Sequence, residues 1–231
     1  MDIVVAIASQ DPFFIFTTRA LLGRDRRARI FNTVDDLSAI RRDLIEAVSD
    51  VHAIVLDLDS IAWSAAFYDD LCTLAREATR SSVLCLAEGM MLERAAENIP
   101  DAPIKALLSK QDLGYCLHLS IRAVVDEDVT LLTSSSRDLL PESSTLRMKG
   151  RTISPHKRHP NLTKRISEVV MWRIFVGLDN PDIQDELLLG KDTVREYVSK
   201  AYSTLGAHGE LEAFEAMSDW WWVSRFAPAI T

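Results

Sequence analysis

The 231-residue chain has no uninterrupted apolar run of the roughly 18–20 residues that a membrane helix needs, so a helical membrane span is not expected. Its first residues, MDIVVAIASQD, have no basic stretch ahead of the apolar one, and they read as a buried strand rather than a secretory leader. Cysteine is scarce. Cys72, Cys85 and Cys116 are scattered, odd in number and lack metal-ligand spacing. Each lies in an apolar stretch, which predicts reduced core thiols in a cytoplasmic protein and argues against a disulfide framework. His156 and His159 have no acidic or cysteine neighbour, so no metal site is expected there. Positive charge is also in deficit: the chain carries a net −8, which taken alone speaks against a nucleic-acid partner.

The distribution of that charge changes the reading. Residues 1–146 carry −9, residues 147–210 carry +3 and residues 211–231 carry −2. An acidic first part joined to a basic segment fits a regulatory domain attached to a DNA reader. A hydrophobic content of 48% and a charged content of 26% are ordinary for a folded globular protein, and the length suits one or two domains.

Within the basic segment, Val194, Val198, Ala201 and Leu205 recur at i, i+4, i+7 and i+11, which makes one apolar helical stripe. Arg195, Glu196, Ser199 and Lys200 lie off the stripe. A shorter apolar segment with Ile183, Leu187 and Leu188 precedes it, and Leu189-Gly190-Lys191 forms a tight connection. Two helices joined by such a turn make a helix-turn-helix. Leu162-Thr163, Arg165, Glu168-Val169, Gly177-Leu178, Asn180, Ile183, Leu187, Thr193-Val194, Val198-Ser199, Leu205-Gly206 and His208 together resemble the LuxR/NarL-type helix-turn-helix of bacterial response regulators. The run from Glu168 to Gly177 is one residue longer than in that family, and the extra residue is expected to be absorbed at the end of the first helix.

The resemblance implies that Arg195, Glu196 and Ser199 face base edges, where arginine can read guanine and glutamate can accept from cytosine N4. Lys191, Thr193 and Lys200 are better placed for phosphates. A plain reading stands beside this one: Glu196 and Lys200 could form a helix-surface pair worth a few tenths of a kcal/mol. Asp182, Asp185 and Glu186 put negative charge on the second helix, where it would repel phosphates. Thr163 is expected to cap the first helix and Asn180 the second, with Pro181 in its first turn. A fourth helix, Glu210 to Met217, is the family's frequent dimer contact. Trp220, Trp221 and Trp222 cannot all face one core, and either docking on their own domain or a subunit contact suits them.

Ahead of this lie five apolar, β-rich runs: 2–8, 29–32, 53–58, 82–86 and 104–108. They alternate with helical patterns at 13–22, 34–48, 62–78, 90–98 and 113–125. The alternation predicts a parallel, doubly wound, five-stranded sheet of flavodoxin-like order with its ligand site at the carboxyl ends of the strands. Residues 2–126 resemble a response-regulator receiver domain. In that family an aspartate at the end of the third strand becomes an aspartyl phosphate beside Mg²⁺, and a lysine after the fifth strand contacts the phosphoryl group. Asp57 and Lys110 occupy those places.

The rest of the receiver pattern is missing. Ser9 and Gln10 stand where the family has two acidic metal ligands, and a one-residue shift of register would bring Asp11 there instead. Leu86 replaces the hydroxyl residue after the fourth strand. Mg²⁺ prefers carboxylate oxygens, so the cation site is expected to be lost and no cofactor is expected. Asp57 and Lys110 then read either as an ion pair left at the old site or as a working phosphoacceptor.

Residues 127–160, rich in Ser, Pro and charge, are expected to form a linker, with Arg147, Lys149, Arg151, Lys157 and Arg158 solvated or touching phosphates. The expected organisation is a receiver-like domain over 1–126, this linker, and a four-helix LuxR-type DNA-binding domain over 161–231. The expected function is a non-enzymatic, sequence-specific DNA-binding transcription regulator, an atypical response regulator acting without conventional aspartyl phosphorylation. Its partners would be promoter DNA and a second copy of itself, with a protein or small-molecule effector at the receiver and no membrane. The alternatives are a phosphorylation-activated response regulator and an interaction protein that titrates a partner without binding DNA.

Overall fold

The computed structural model describes residues 2–23, 28–34, 51–61, 66–77, 80–113, 117–153, 159–176 and 178–224. The chain divides into two compact units, Met1–Pro155 and His156–Thr231.

The first unit is built on a wholly parallel sheet. Its strands are β1 (Ile3–Ala8), β2 (Ala28–Val34), β3 (Ala53–Asp57), β4 (Ser82–Ala87), β5 (Ala106–Ser109), β6 (Leu131–Leu132) and β7 (Arg151–Thr152), in spatial order β2-β1-β3-β4-β5-β6-β7. Among the described residues the helices between them are α1 (Pro12–Leu22), α2 (Phe67–Glu77), α3 (Gly89–Asn98), α4 (Lys110–Leu113), α5 (Leu117–Asp126), α6 (Ser134–Leu139) and α7 (Thr145–Lys149). Every residue of β3 and β5 is buried, and all of β4 beyond Ser82. That is why these strands read as unbroken apolar runs rather than alternating ones. α1 starts where Asp11 caps it, accepting from the Phe13 amide at 2.9 Å, with Pro12 as its first residue. Cys72 and Cys85 are free and buried, and burial pushes the Cys85 thiol pKa up. Cys116 and the expected helix over 34–48 fall largely or wholly outside the described residues.

Among the described residues the sheet has seven strands, not five, and residues 131–152 are not a tether. β6 pairs with β5 (Ala106 with Leu131, Leu107 with Leu132), and β7 pairs with β6. The polar composition that suggested a linker serves as capping and buried hydrogen bonding. Thr133 and Ser136 form a reciprocal capping box at the start of α6. The buried Ser136 hydroxyl also donates to the Leu107 carbonyl at 2.7 Å, and the Ser109 amide donates to Thr133 Oγ1 at 3.0 Å. Ser144 caps α7. Arg147, expected to be solvated or on a phosphate, donates to the Leu140 carbonyl at 2.6 Å, and Arg137 donates to that of Gly150 at 2.9 Å. Leu132, Leu140 and Leu146 join the main core. Gly150 is required by space: a Cβ there would lie 2.5 Å from the Leu146 carbonyl oxygen and 2.6 Å from the Leu132 side chain.

The second unit is helical: α8 (Lys164–Val170), α9 (Asn180–Leu187), α10 (Lys191–Leu205) and α11 (Glu210–Ser224). α8 runs into a π-helical segment, Met171–Val176. This is where the residue in excess between Glu168 and Gly177 is taken up, since a wider turn inserts one residue without breaking the helix. Thr163 caps α8 as expected. The cap of α9 is Asp179, which accepts from the Asp182 amide at 3.1 Å; Asn180 becomes the first helical residue and Pro181 the second. Val169, Ile183 and Val194 form the centre of the core, with Trp172, Leu178, Leu187, Leu189, Tyr197 and Val198 packed on it. α11 extends past Met217 to Ser224. The expectations for Trp220, Trp221 and Trp222 concern side chains outside the described set.

Candidate functional site

In the first unit the strand order reverses between β1 and β3, and the crevice beyond their carboxyl ends is where such sheets hold ligands. Ser9 directly follows β1, Asp57 ends β3 and Lys110 directly follows β5, so the fold brings these three together. Asp57 is fully buried. Its Oδ2 accepts from the Ser9 hydroxyl at 2.7 Å, and its Oδ1 accepts from Lys110 Nζ at 2.5 Å and from the Asp59 amide at 3.2 Å. Lys110 also reaches Asp59 Oδ2 at 2.7 Å and lies 4.7 Å from the centre of the Phe14 ring. Burial acts against the lysine's charge, but its hydrogen bonds to Asp57 and Asp59, and their charges, outweigh that effect and raise its pKa.

Ser60 joins the cluster. Its Oγ lies 3.0 Å from Ser9 Oγ, accepts from the Gln10 amide at 2.9 Å and is 3.2 Å from the Asp57 carbonyl oxygen. Gln10 is exposed. The Asp11 side chain is used as the cap of α1, so it is Ser9 that touches Asp57. Leu86 is buried in β4, in register with Asp57, and offers no polar atom to it from its side chain. Sequence reasoning did not assign Asp59, Ser60 or Phe14 to this cluster. The alternation Asp57-Leu58-Asp59 at a strand end was the available signal, because residues two apart share a side.

The Mg²⁺ that the receiver resemblance implies does not fit these donors. A hard dication takes one or two carboxylates with open oxygen sites. Here Asp57 is engaged by a hydroxyl, an ammonium and an amide, and Lys110 already bridges Asp57 to Asp59. Among the described residues no group of three or more His, Cys, Asp or Glu is placed to hold a metal.

In the second unit, α10 buries Val194 and Ala201 and half-buries Val198 and Leu205. Lys191, Arg195, Glu196, Ser199 and Lys200 are exposed, and Thr193 is half-buried. Among the described residues no ion pair joins Glu196 to Lys200. Gly190 is the N-cap and provides no side-chain cap, so the positive end of a 15-residue helix is left without one. Asp182, Asp185 and Glu186 are exposed on α9. Arg165 pairs with Glu168 at 2.7 Å and donates to the Leu187 carbonyl at 2.7 Å, which fixes the carboxyl end of α9 against α8.

No family model matches the chain, and no curated protein matches it. Among solved structures it is similar to the RcsB response regulator of Salmonella typhimurium, with 17% identity over 94% of this chain and 98% of that one and a TM-score of 0.50. It is also similar to RcsB in a structure of two dimers bound to two parallel DNAs, with 20% identity, the same coverage and a TM-score of 0.50. At this identity the likeness is one of fold: a parallel-sheet unit followed by a helical one.

Proposed function

We propose that the chain is a DNA-binding transcription regulator of the response-regulator type, whose first unit works without aspartyl phosphorylation. The observation that carries the DNA-binding reading is the outer face of α10, with Lys191, Arg195, Glu196, Ser199 and Lys200 exposed over a buried helix-turn-helix core. A helix of this kind enters the major groove with its N-terminal half. Arg195 and Glu196 then reach base edges, while Lys191, Lys200 and the uncapped helix end meet phosphates. The likeness to RcsB, whose dimers are described bound to DNA, supports a dimer acting on two-fold-related half-sites. The acidic face of α9 makes pairing of two weak readers useful.

Selection from random duplex DNA by the untreated full-length chain tests this. A two-fold motif, lost in Arg195→Ala, is the expected result. If no sequence is enriched, the competing reading of an interaction protein that titrates a partner is favoured, as the acidic α9 suggests.

The phosphorylation-independent part rests on the engaged Asp57 carboxylate. A phosphoacceptor must present a free oxygen in line with the donor. Both Asp57 oxygens already accept hydrogen bonds, and Leu86 supplies no hydroxyl. The pairing of Asp57 with Lys110 is the one feature that favours ordinary phosphorylation. Incubation with Mg²⁺ and acetyl phosphate, read by mass spectrometry, separates the two. No adduct is expected, and an adduct abolished in Asp57→Asn would overturn this part. Control of the regulator then falls to an effector bound by the first unit or to its abundance.

A further inference from the structure

We propose that Leu188 is an additional DNA-contacting residue, one that recognises the 5-methyl group of thymine beside the polar contacts of α10. The proposal rests on the DNA-binding reading above. Leu188 is the C-cap of α9, three residues before Lys191, with φ 52° and ψ 47°. Glycine adopts this left-handed conformation freely, whereas a side chain resists it. Leu188 is 91% exposed, more than any other large apolar residue among the described residues.

Packing does not account for it. Leu187 and Leu189 on either side are turned onto the core formed by Val169, Ile183 and Val194, and Leu188 alone points away. Glycine or asparagine is the usual residue at such a cap. A leucine there violates the local backbone preference and exposes apolar surface, the kind of local cost expected where a residue serves a partner.

The mount is firm. The amides of Leu188 and Leu189 both donate to the Gln184 carbonyl, and Arg165 holds the Leu187 carbonyl at 2.7 Å. Because the N-terminal half of a recognition helix enters the groove, the turn immediately ahead of it is carried to the groove with it. Lys191 and Arg195, both exposed nearby in sequence, supply the attraction for the phosphate-lined surface. The apolar group that the major groove offers is the thymine methyl, and removing both it and the leucine from water is favourable.

The test uses the full-length chain and the duplex it selects, with binding followed by fluorescence anisotropy and stability by thermal melting. Leu188→Gly should weaken binding about tenfold while raising the melting temperature. Leu188→Ala, which keeps the strained backbone, should weaken binding similarly without that rise. Replacing thymines by uracil one at a time should weaken wild-type binding at one position per half-site and leave both variants unaffected there. Variants that bind as tightly as wild type, or uracil tolerated at every position, would overturn the assignment of Leu188 alone. A wild-type chain that binds no duplex overturns the DNA-binding reading and this proposal with it.

Discussion

The Ser9 hydroxyl donates a 2.7 Å hydrogen bond to Oδ2 of the fully buried Asp57. A small neutral donor thus sits where a receiver domain would carry an acidic metal ligand, and the buried carboxylate is satisfied from within the chain.

Replacing Ser9 and Gln10 together by Asp should reverse this. Without added metal, a second carboxylate beside Asp57 is repelled and the melting temperature falls. Added Mg²⁺ should then raise it in the double variant and leave the wild type unchanged, because only the variant gains hard oxygen donors. Equal magnesium response in both proteins would show that the native pocket already binds the ion.

Lys110→Met leaves Asp57 buried without its cation and should cost about 3 kcal/mol, since breaking one side of a buried pair strands the other charge. The pH dependence has a definite sign. Lys110 has a raised folded pKa, so its contribution is fully present below the ordinary lysine value of about 10.4 and is lost as pH rises through the folded value. Urea unfolding of the wild type, followed from neutral pH to above the ordinary lysine value, should show this loss of stability only on the alkaline side of that value. A pH profile in Lys110→Met that parallels the wild type would exclude the ion pair as its source.

Ser136→Ala removes a buried hydroxyl that serves the α6 capping box and the Leu107 carbonyl at once. A destabilisation of about 1–2 kcal/mol is expected from the lost cap and the unpaired carbonyl. Hydrogen exchange should show the loosening concentrated in β6 and α6, with α8 to α11 unchanged.

Gly150→Ala forces a methyl group into the Leu146 carbonyl and the Leu132 side chain. The expected cost is about 1–3 kcal/mol, the range for overpacking a filled site. A melting temperature equal to that of the wild type would mean that the end of α7 is not packed against Leu132 of β6 in solution as described.

Among the described residues, the strands and helices up to residue 113 lie close to where hydrophobic runs, β-branched residues and caps put them. Ile54, Val55 and Leu56 lie in a short apolar run that reads as a buried strand, and Asp11 followed by Pro12 is a helix-start signal by local geometry. The stripe Val194, Val198, Ala201, Leu205 fixed α10 in the same way. The extra residue after Glu168 appeared in the count before it appeared as a π-helical turn.

Three decisions belonged to the tertiary structure. Thr133, Ser136 and Ser144 have the composition of a linker, and only a neighbouring β5 with unpaired backbone groups turns residues 131–152 into two further strands. The choice of Ser9 over Asp11 at the pocket depended on which of them the start of α1 consumed as its cap. The binding of Lys110 by Asp59 as well as Asp57 depended on strand ends meeting across the sheet. Local sequence determines propensity and period, which act over a few residues. Which polar groups meet is set by contacts about fifty residues apart along the chain, and those exist only once the sheet has formed.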